Sequence, residues 1–360
     1  MKKTRVTVII GNFTFGGAQQ MIYEQVKHAN REDYDLQVLC YNPKRGTPLE
    51  EMVEAVVPIT YINSRIRGRI TPGVVAQVVW ALHRTKPDVV HAHLGGVGFG
   101  AMWSQLFRKP LVITAHTKPE KAFLPRTEKQ VRNVLKKGHT RLVAVSEDNA
   151  RMLKEYFCLD ESLCSCVNNG IDLERFTRKE HDGFTLIHVG RQDENKNQAA
   201  LIRCFARLHE QYPDTKLLLL GDGPTHKALQ EQVTQLGLEG VITLTGNVSN
   251  TQDYYAVSDL YVQSSHREAM PLSVLEAMAA GLPIVSTDVG GLRDVVQDNG
   301  ILVPDNDEDA LYRAMETVYT QTPEQTQAMC QASDRIVQGY SSKNMARQYE
   351  KIYDEMTKVK

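Results

Sequence analysis

The chain has 360 residues, 42 Lys and Arg against 43 Asp and Glu, a hydrophobic fraction of 42% and a charged fraction of 24%. That length exceeds one ordinary hydrophobic core, so two domains are expected, and the composition is that of a globular protein. No apolar run reaches the roughly 18 to 20 residues of a membrane span, and no nucleic-acid partner is expected.

The start, MKKTRVTVIIGNF, has the basic end of a signal peptide. Its apolar run is short and no small-residue cleavage site follows, so it reads as a first strand over 5–10. A turn containing Gly16 and Gly17 leads into a helix from Ala18. Strands follow at 36–40 and 59–62, a helix at 74–84, and strands at 89–93, 111–115 and 142–145. A helix at 127–138 is expected to open on a capping box, with Thr127 as N-cap and Gln130 at N3. After Asn169-Gly170-Ile171-Asp172 the pattern restarts. Strands at 184–189, 216–220, 241–244, 260–263 and 284–286 alternate with helices at 198–210, 226–235 and 253–257. Strands alternating with helices predict parallel sheets covered on both faces. Domains over 1–174 and 175–340 are expected, with a final helix (341–360) rejoining the first.

Charge divides unevenly between these halves. Residues 1–174 hold 24 basic and 17 acidic residues, a net of +7; the remainder hold 18 and 26, a net of −8. Eight of the cations fall between Lys118 and Arg141. Such a face can draw in an anionic acceptor or lie against anionic lipid, and a solvated helix explains it equally well. Among the six cysteines only Cys164 and Cys166 are close, at a spacing unlike C-x-x-C. Reduced thiols in a cytoplasm are the expected state.

The most informative stretch is SSHREAMPLSVLEAMAAGLPIVSTDVGG, from Ser264 onward. Pro271 is expected as the first helical residue and Gly281 as the left-handed stop. Glu268 then stands at a helix N-terminus, where amides and dipole favour an anion, and Glu276 lies further down the helix. An acid beside a bound anion is tolerable if it holds the hydroxyl-bearing part of the same ligand, which suggests a phosphate-plus-polyol ligand. Two carboxylates also suggest a glycosidase, but the helix start between them favours phosphate. Gly190-Arg191 with Lys196 ends the strand at 184–189, where two cations suit a diphosphate. Gly221-Asp222-Gly223 ends another strand, and a tight turn alone accounts for it. Gly16-Gly17 is not the dinucleotide fingerprint. His91, His93 and His116 end two strands; a metal reading lacks further marked ligands. His116 suits a hydrogen bond to substrate, while His91 and His93 read as structural.

Together these residues resemble the family 4 retaining glycosyltransferases of GT-B fold, over nearly the whole chain. The most specific part is Glu268 through Glu276, continued by Ala277 to Pro283 and by Gly290-Gly291. Thr114-Ala115-His116, Gly16-Gly17-Ala18 and Asn169-Gly170-Ile171-Asp172 support it. The resemblance implies two Rossmann-like domains facing each other across a cleft, the first on the acceptor side and the second binding a nucleotide sugar. It implies catalytic roles for His116, Arg191, Lys196 and Glu268. Donor contacts fall to Gly16, Gly17, Gly190, Gly221, Met270, Pro271, Leu272, Ser273 and Glu276. Neither metal nor cofactor is implied.

The implied reaction moves a sugar, with retention, from a nucleotide sugar (a UDP-sugar first among candidates) to a glycan or lipid-linked acceptor in polysaccharide or envelope assembly. The expected location is cytoplasmic, with a peripheral place on the inner membrane face through 118–141. A sugar-nucleotide epimerase and a non-catalytic nucleotide-sugar-binding protein are the alternatives. Gln192 and Asn197 replace a Leu and a Gly common in the family, and Asp294 stands where Glu is usual. Acceptor loops are expected at 42–69 and 95–100.

Overall fold

The structure is a computed structural model that describes residues 3–14, 16–62 and 71–358. The chain divides into two compact units, Met1–Gly170 with Ser342–Lys360, and Ile171–Ser341.

The first unit holds seven strands: β1 (Thr4–Ile10), β2 (Tyr34–Cys40), β3 (Ile59–Tyr61), β4 (Val89–His93), β5 (Leu111–Ala115), β6 (Thr140–Ala144) and β7 (Cys164–Cys166). They form one parallel sheet in the order β3-β2-β1-β4-β5-β6-β7. The second unit holds β8 (Phe184–Val189), β9 (Thr215–Leu220), β10 (Ile242–Gly246), β11 (Leu260–Gln263), β12 (Ile284–Thr287) and β13 (Gly300–Val303). These are also parallel, in the order β10-β9-β8-β11-β12-β13. Both are Rossmann-like sheets.

Parallel strands need crossover helices, so both sheet faces are covered and the strands read as continuous apolar runs. Side chains alternate between the two faces. Ile9 joins one core cluster with Val90, Ile113 and Leu142, while Val8 and Ile10 join another with Val89, Val112 and Val143. In each sheet the strand order reverses once, between β1 and β4 and between β8 and β11. Loops diverge there at the carboxyl ends, where open α/β sheets bind ligands.

The helix Ser342–Lys358 belongs to the first unit. Its Met345, Tyr349, Ile352, Tyr353 and Met356 repeat at helical spacing and are buried in the cluster containing Val8 and Val38. Tyr353 also reaches polar partners, accepting from Gln25 Nε2 at 2.5 Å and meeting His91 Nδ1 at 2.7 Å.

Three expectations need correction. The helix expected at 127–138 runs over Pro125–Leu135 with Leu124 as N-cap, and no side-chain cap is made there. Pro125 sets the first turn, and Thr127 lies inside it. Residues 95–100, expected as a loop, form a turn Leu94–Gly96 and the start of the helix Val97–Phe107. Glycine is used there for close packing: a Cβ on Gly100 would sit 3.0 Å from Ala92 Cβ and Leu111 Cδ1. Residues 42–62 contain the helix Pro48–Glu54, started by a capping box of Thr47 and Glu50, and β3. The rest of that expected loop, 63–69, lies outside the described residues, as does Phe15.

Tyr353→Phe should lower stability by about 1 to 3 kcal/mol, because burial leaves His91 and Gln25 without that hydroxyl. A urea titration followed by circular dichroism measures it, and an unchanged midpoint would refute the role given to the hydroxyl.

Candidate active site

The rim of the second sheet is built by loops stitched to one another through their backbones. Gly190 N–H donates to Leu220 O at 3.0 Å, Gln192 N–H to Asp222 O at 3.1 Å and Gly221 N–H to Gly246 O at 2.9 Å. Gly221 has φ +119, and a Cβ there would lie 2.1 Å from Gly190 O. Only glycine satisfies both the left-handed backbone and the close approach. Gly190 itself faces the Lys196 stem, with a Cβ position 3.3 Å from Lys196 Cε.

Asp193 turns the chain by accepting from the amides of Asn195 and Lys196. Asn197 then starts the helix Gln198–Gln211 from a left-handed φ of +52. Asn is the non-glycine residue that adopts this region most readily, so replacing the family's Gly leaves the turn intact.

The loop after β11 is tied to the same turn. His266 N–H donates to Asn195 O at 2.8 Å, Ser264 Oγ to Lys196 O at 2.9 Å and Asn195 Nδ2 to Arg267 O at 2.9 Å. These ties bring the Lys196 ammonium 2.6 Å from Glu268 Oε1, with only 16% and 11% of the two side chains exposed. Gln263 Nε2, at the buried end of β11, donates to the same Glu268 oxygen at 2.7 Å. Tyr261 in turn donates to Gln263 Oε1 and meets Ser273 Oγ at 2.8 Å. Burial holds the Tyr261 phenol well above its ordinary pKa, so it remains a donor.

Glu268 leads to the helix Leu272–Ala279, for which Pro271 is the N-cap with ψ 128. The ring fixes φ but not ψ, so the helix starts one residue later than expected. Gly281 has φ +70 and ends the turn after Ala280 as expected. Tyr255 donates to Ser273 O at 2.9 Å and lies beside Glu276; burial first, then that carboxylate, keep its phenol protonated. Gly290 has φ +61, and its backbone passes so near that a Cβ would sit 2.0 Å from Glu268 O. Arg191 is 69% exposed, its Nε 3.7 Å from Asp193. The structure therefore brings Gly190, Lys196, Glu268 and the helix entry at Met270–Ser273 together on one rim. Gln263 and Tyr261 are the members that the sequence did not reveal.

In the first unit, Gly16 is extended and precedes the helix Gly17–His28 at the end of β1. His93 pairs with Thr114 across β4 and β5, so His116, two residues on, meets it: His93 Nδ1 lies 3.0 Å from His116 Nε2. His91 has both ring nitrogens occupied, by Tyr353 and by Thr114 Oγ1 at 2.8 Å. It is the satisfied structural histidine expected. His93 is not, because its buried Nε2 has no partner among the described residues. Burial pushes His91 down to about 3 and His116 down to about 4, so both are neutral at physiological pH. At the second rim, His188 donates from Nδ1 to Val262 O and is likewise pushed down to about 4 by burial.

Residues 171–335 match the sequence model of the family described as glycosyl transferases group 1, and residues 15–175 that of glycosyltransferase family 4. The chain belongs to the family 4 glycosyltransferases. The transferase is 26% identical to the UDP-Gal:alpha-D-GlcNAc-diphosphoundecaprenol alpha-1,3-galactosyltransferase of Escherichia coli, over 94% of this chain and 92% of that protein. It is 30% identical to an uncharacterized glycosyltransferase of Methanocaldococcus jannaschii, over 41% of this chain and 39% of that protein. Anabaena HepE, solved in complex with UDP-glucose, has 21% identity, a TM-score of 0.84 and coverage of 98% of this chain and 99% of its own. The fold is GT-B.

The depressed histidines make transferase stability depend on pH. Unfolded, each takes a proton near 6.5; folded, His91, His116 and His188 take theirs at about 3 to 4. The unfolded state binds more protons in between, so their contribution is whole above pH 6.5 and is lost as pH falls towards 4. Urea midpoints measured from pH 7 to 4.5 should fall over that window, and more shallowly in His116→Gln. Parallel profiles would contradict the neutral-histidine assignment.

Proposed function

We propose that the transferase moves a sugar with retention from a UDP-sugar to a lipid-linked or growing polysaccharide acceptor, without a metal. The observation that carries this reading is the Lys196–Glu268 pair beside Gly190 and the helix entry at Met270–Ser273. The ammonium supplies a fixed cation for a leaving diphosphate, and Arg191 supplies an exposed, mobile one. Glu268 then holds hydroxyls of the donor sugar and Glu276 those of the ribose. Gly190 and Gly221 allow close approach to the backbone, and the amides near Met270, Leu272 and Ser273, with Gly17 of the Gly16-Gly17 turn, meet the phosphates. Pro271 offers shape alone, since it has no N–H.

In this reading the 175–340 domain binds the donor, the 1–174 domain serves the acceptor, and His116 hydrogen-bonds the donor sugar. The acceptor hydroxyl attacks the anomeric carbon from the face that the diphosphate leaves. The new C–O bond forms as the bond to phosphate oxygen breaks, and the hydroxyl proton passes to that oxygen. No residue of the enzyme acts as nucleophile. The donor and acceptor classes are supported by the names of the galactosyltransferase relative and the HepE complex.

Arg191→Ala, Lys196→Ala and Glu268→Ala should each lower transfer by roughly 10²- to 10³-fold, the usual effect of removing one group that stabilises developing charge. Release of UDP from a panel of nucleotide sugars with a lipid-diphosphate acceptor measures this. Full activity in all three variants would overturn the site, and an epimerised nucleotide sugar formed without acceptor would replace transfer by epimerisation.

Among the described residues no helix is long and apolar enough to cross a membrane. The proposed location is the cytoplasmic face of the membrane, held peripherally through 118–141. Lys121, Arg126, Lys129, Lys136 and Lys137 are exposed there beside Leu124, which is 77% exposed. Arg132 and Arg141 are engaged internally, by Glu128 and by Ser165 and Glu355. The transferase should float with vesicles rich in phosphatidylglycerol at low salt and leave them as salt rises. No flotation at low salt would retire the membrane contact.

A further inference from the structure

His93 lies at the carboxyl end of β4 with no exposed surface, and its ring is in contact with two neighbours. The His91 ring packs against it with centroids 4.0 Å apart. Its Nδ1 lies 3.0 Å from His116 Nε2, and its Nε2 has no partner among the described residues. Burial lowers the pKa of both His93 and His116, so one proton, not two, occupies the link between them.

Only two arrangements satisfy that link. If His116 Nε2–H donates, His93 accepts at Nδ1 and must carry its own proton on Nε2, a buried N–H with nothing to receive it. If His93 Nδ1–H donates, its Nε2 is a bare lone pair. Buried orphan N–H groups are rarer in proteins than under-used acceptors; the second arrangement leaves only an acceptor unpaired at the fully buried His93 and puts the free N–H on His116, which is half-buried. His116 then accepts at Nε2 and carries its proton on Nδ1, for which no partner is found among the described residues.

We propose that His93 is a positioning residue that fixes His116 in the Nδ1–H tautomer, so that His116 meets its ligand as a hydrogen-bond donor through Nδ1. Free neutral histidine favours the opposite tautomer, with the proton on Nε2, so the neighbour is needed. His91 has both nitrogens bonded and cannot turn, so it forms a fixed wall that keeps the His93 ring in place. The ligand class is an oxygen acceptor, a sugar hydroxyl or ring oxygen. That last step rests on the function proposed above, whereas the tautomer does not.

The test is a two-bond proton–nitrogen correlation spectrum of the ¹⁵N-labelled full chain at pH 7.5, with His116 signals identified by their loss in His116→Gln. The expected wild-type pattern is Nδ1–H for His116. His93→Leu should move it to a mixture or to Nε2–H and lower kcat for transfer by roughly 10- to 100-fold, with less change in KM. His93→Asn, whose amide nitrogen can occupy the place of Nδ1, should keep the Nδ1–H pattern and most of the activity. An Nε2–H pattern in the wild type, or no change in His93→Leu, would overturn the proposal. Should His93→Leu fail to fold, the wild-type spectrum and His93→Asn still decide. Full activity of His116→Ala would instead sink the role of His116 in transfer and leave the tautomer result standing.

Discussion

A lysine and a glutamate 72 positions apart meet at 2.6 Å with little of either exposed, and the rim of the second sheet is arranged around that meeting. Neither charge is tolerable alone at such burial, because an unpaired ion loses hydration without recompense. The pair therefore needs its surroundings. Strands β8 and β11 must be neighbours, as the register of Leu260 with Leu186 and Tyr261 with Ile187 makes them. Gln263 must supply a second donor to Glu268, and Tyr261 must hold Gln263 in turn. Each requirement passes inward, until a largely buried ion pair at the rim is fixed by the pairing of two central strands.

That dependence explains what the sequence made legible. Strands such as 89–93, 111–115 and 184–189 were plain because central parallel strands are covered on both sides and must be continuously apolar. The edge strands β7 (Cys164–Cys166) and β13 (Gly300–Val303) were missed. β7 is three residues of Cys, Ser and Cys, which signal no strand, and β13 is a four-residue run, Gly-Ile-Leu-Val, too short to stand out. The helix Val97–Phe107 was hidden by glycines that serve packing instead of a turn. At the site, residue types with a stated chemistry (Lys196, Glu268, Arg191, His116) stood out in the sequence, but their partners did not. Gln263 and Tyr261 lie inside an apolar strand and look like core. A Gln at the last position of a buried strand was the one available signal, because such an amide must find partners.

The two sheets share a strand order and differ in what they place at the reversal point. The first ends in neutral groups: His91 and His93, which burial keeps unprotonated, and the Thr114 hydroxyl, with the phenols of Tyr349 and Tyr353 bonded to them from the final helix. The second ends in paired and exposed charges: Lys196, Glu268, Arg191 and Asp193. A fold that fixes where loops diverge does not fix their chemistry, which follows from local burial.

Burial also decides how each set can act. Charged groups on the second rim stabilise a charge that develops on a ligand, and they do so at any pH at which both partners stay ionised. Neutral imidazoles bring no net charge; they act through one donated or accepted hydrogen bond, so their worth depends on which nitrogen carries the proton. An ion pair needs its partner's charge, whereas a neutral histidine needs its partner's tautomer. The Nε2 of His93, unpartnered among the described residues, is thus more informative than the bonds around it, because it is the atom that makes one of the two tautomers unfavourable.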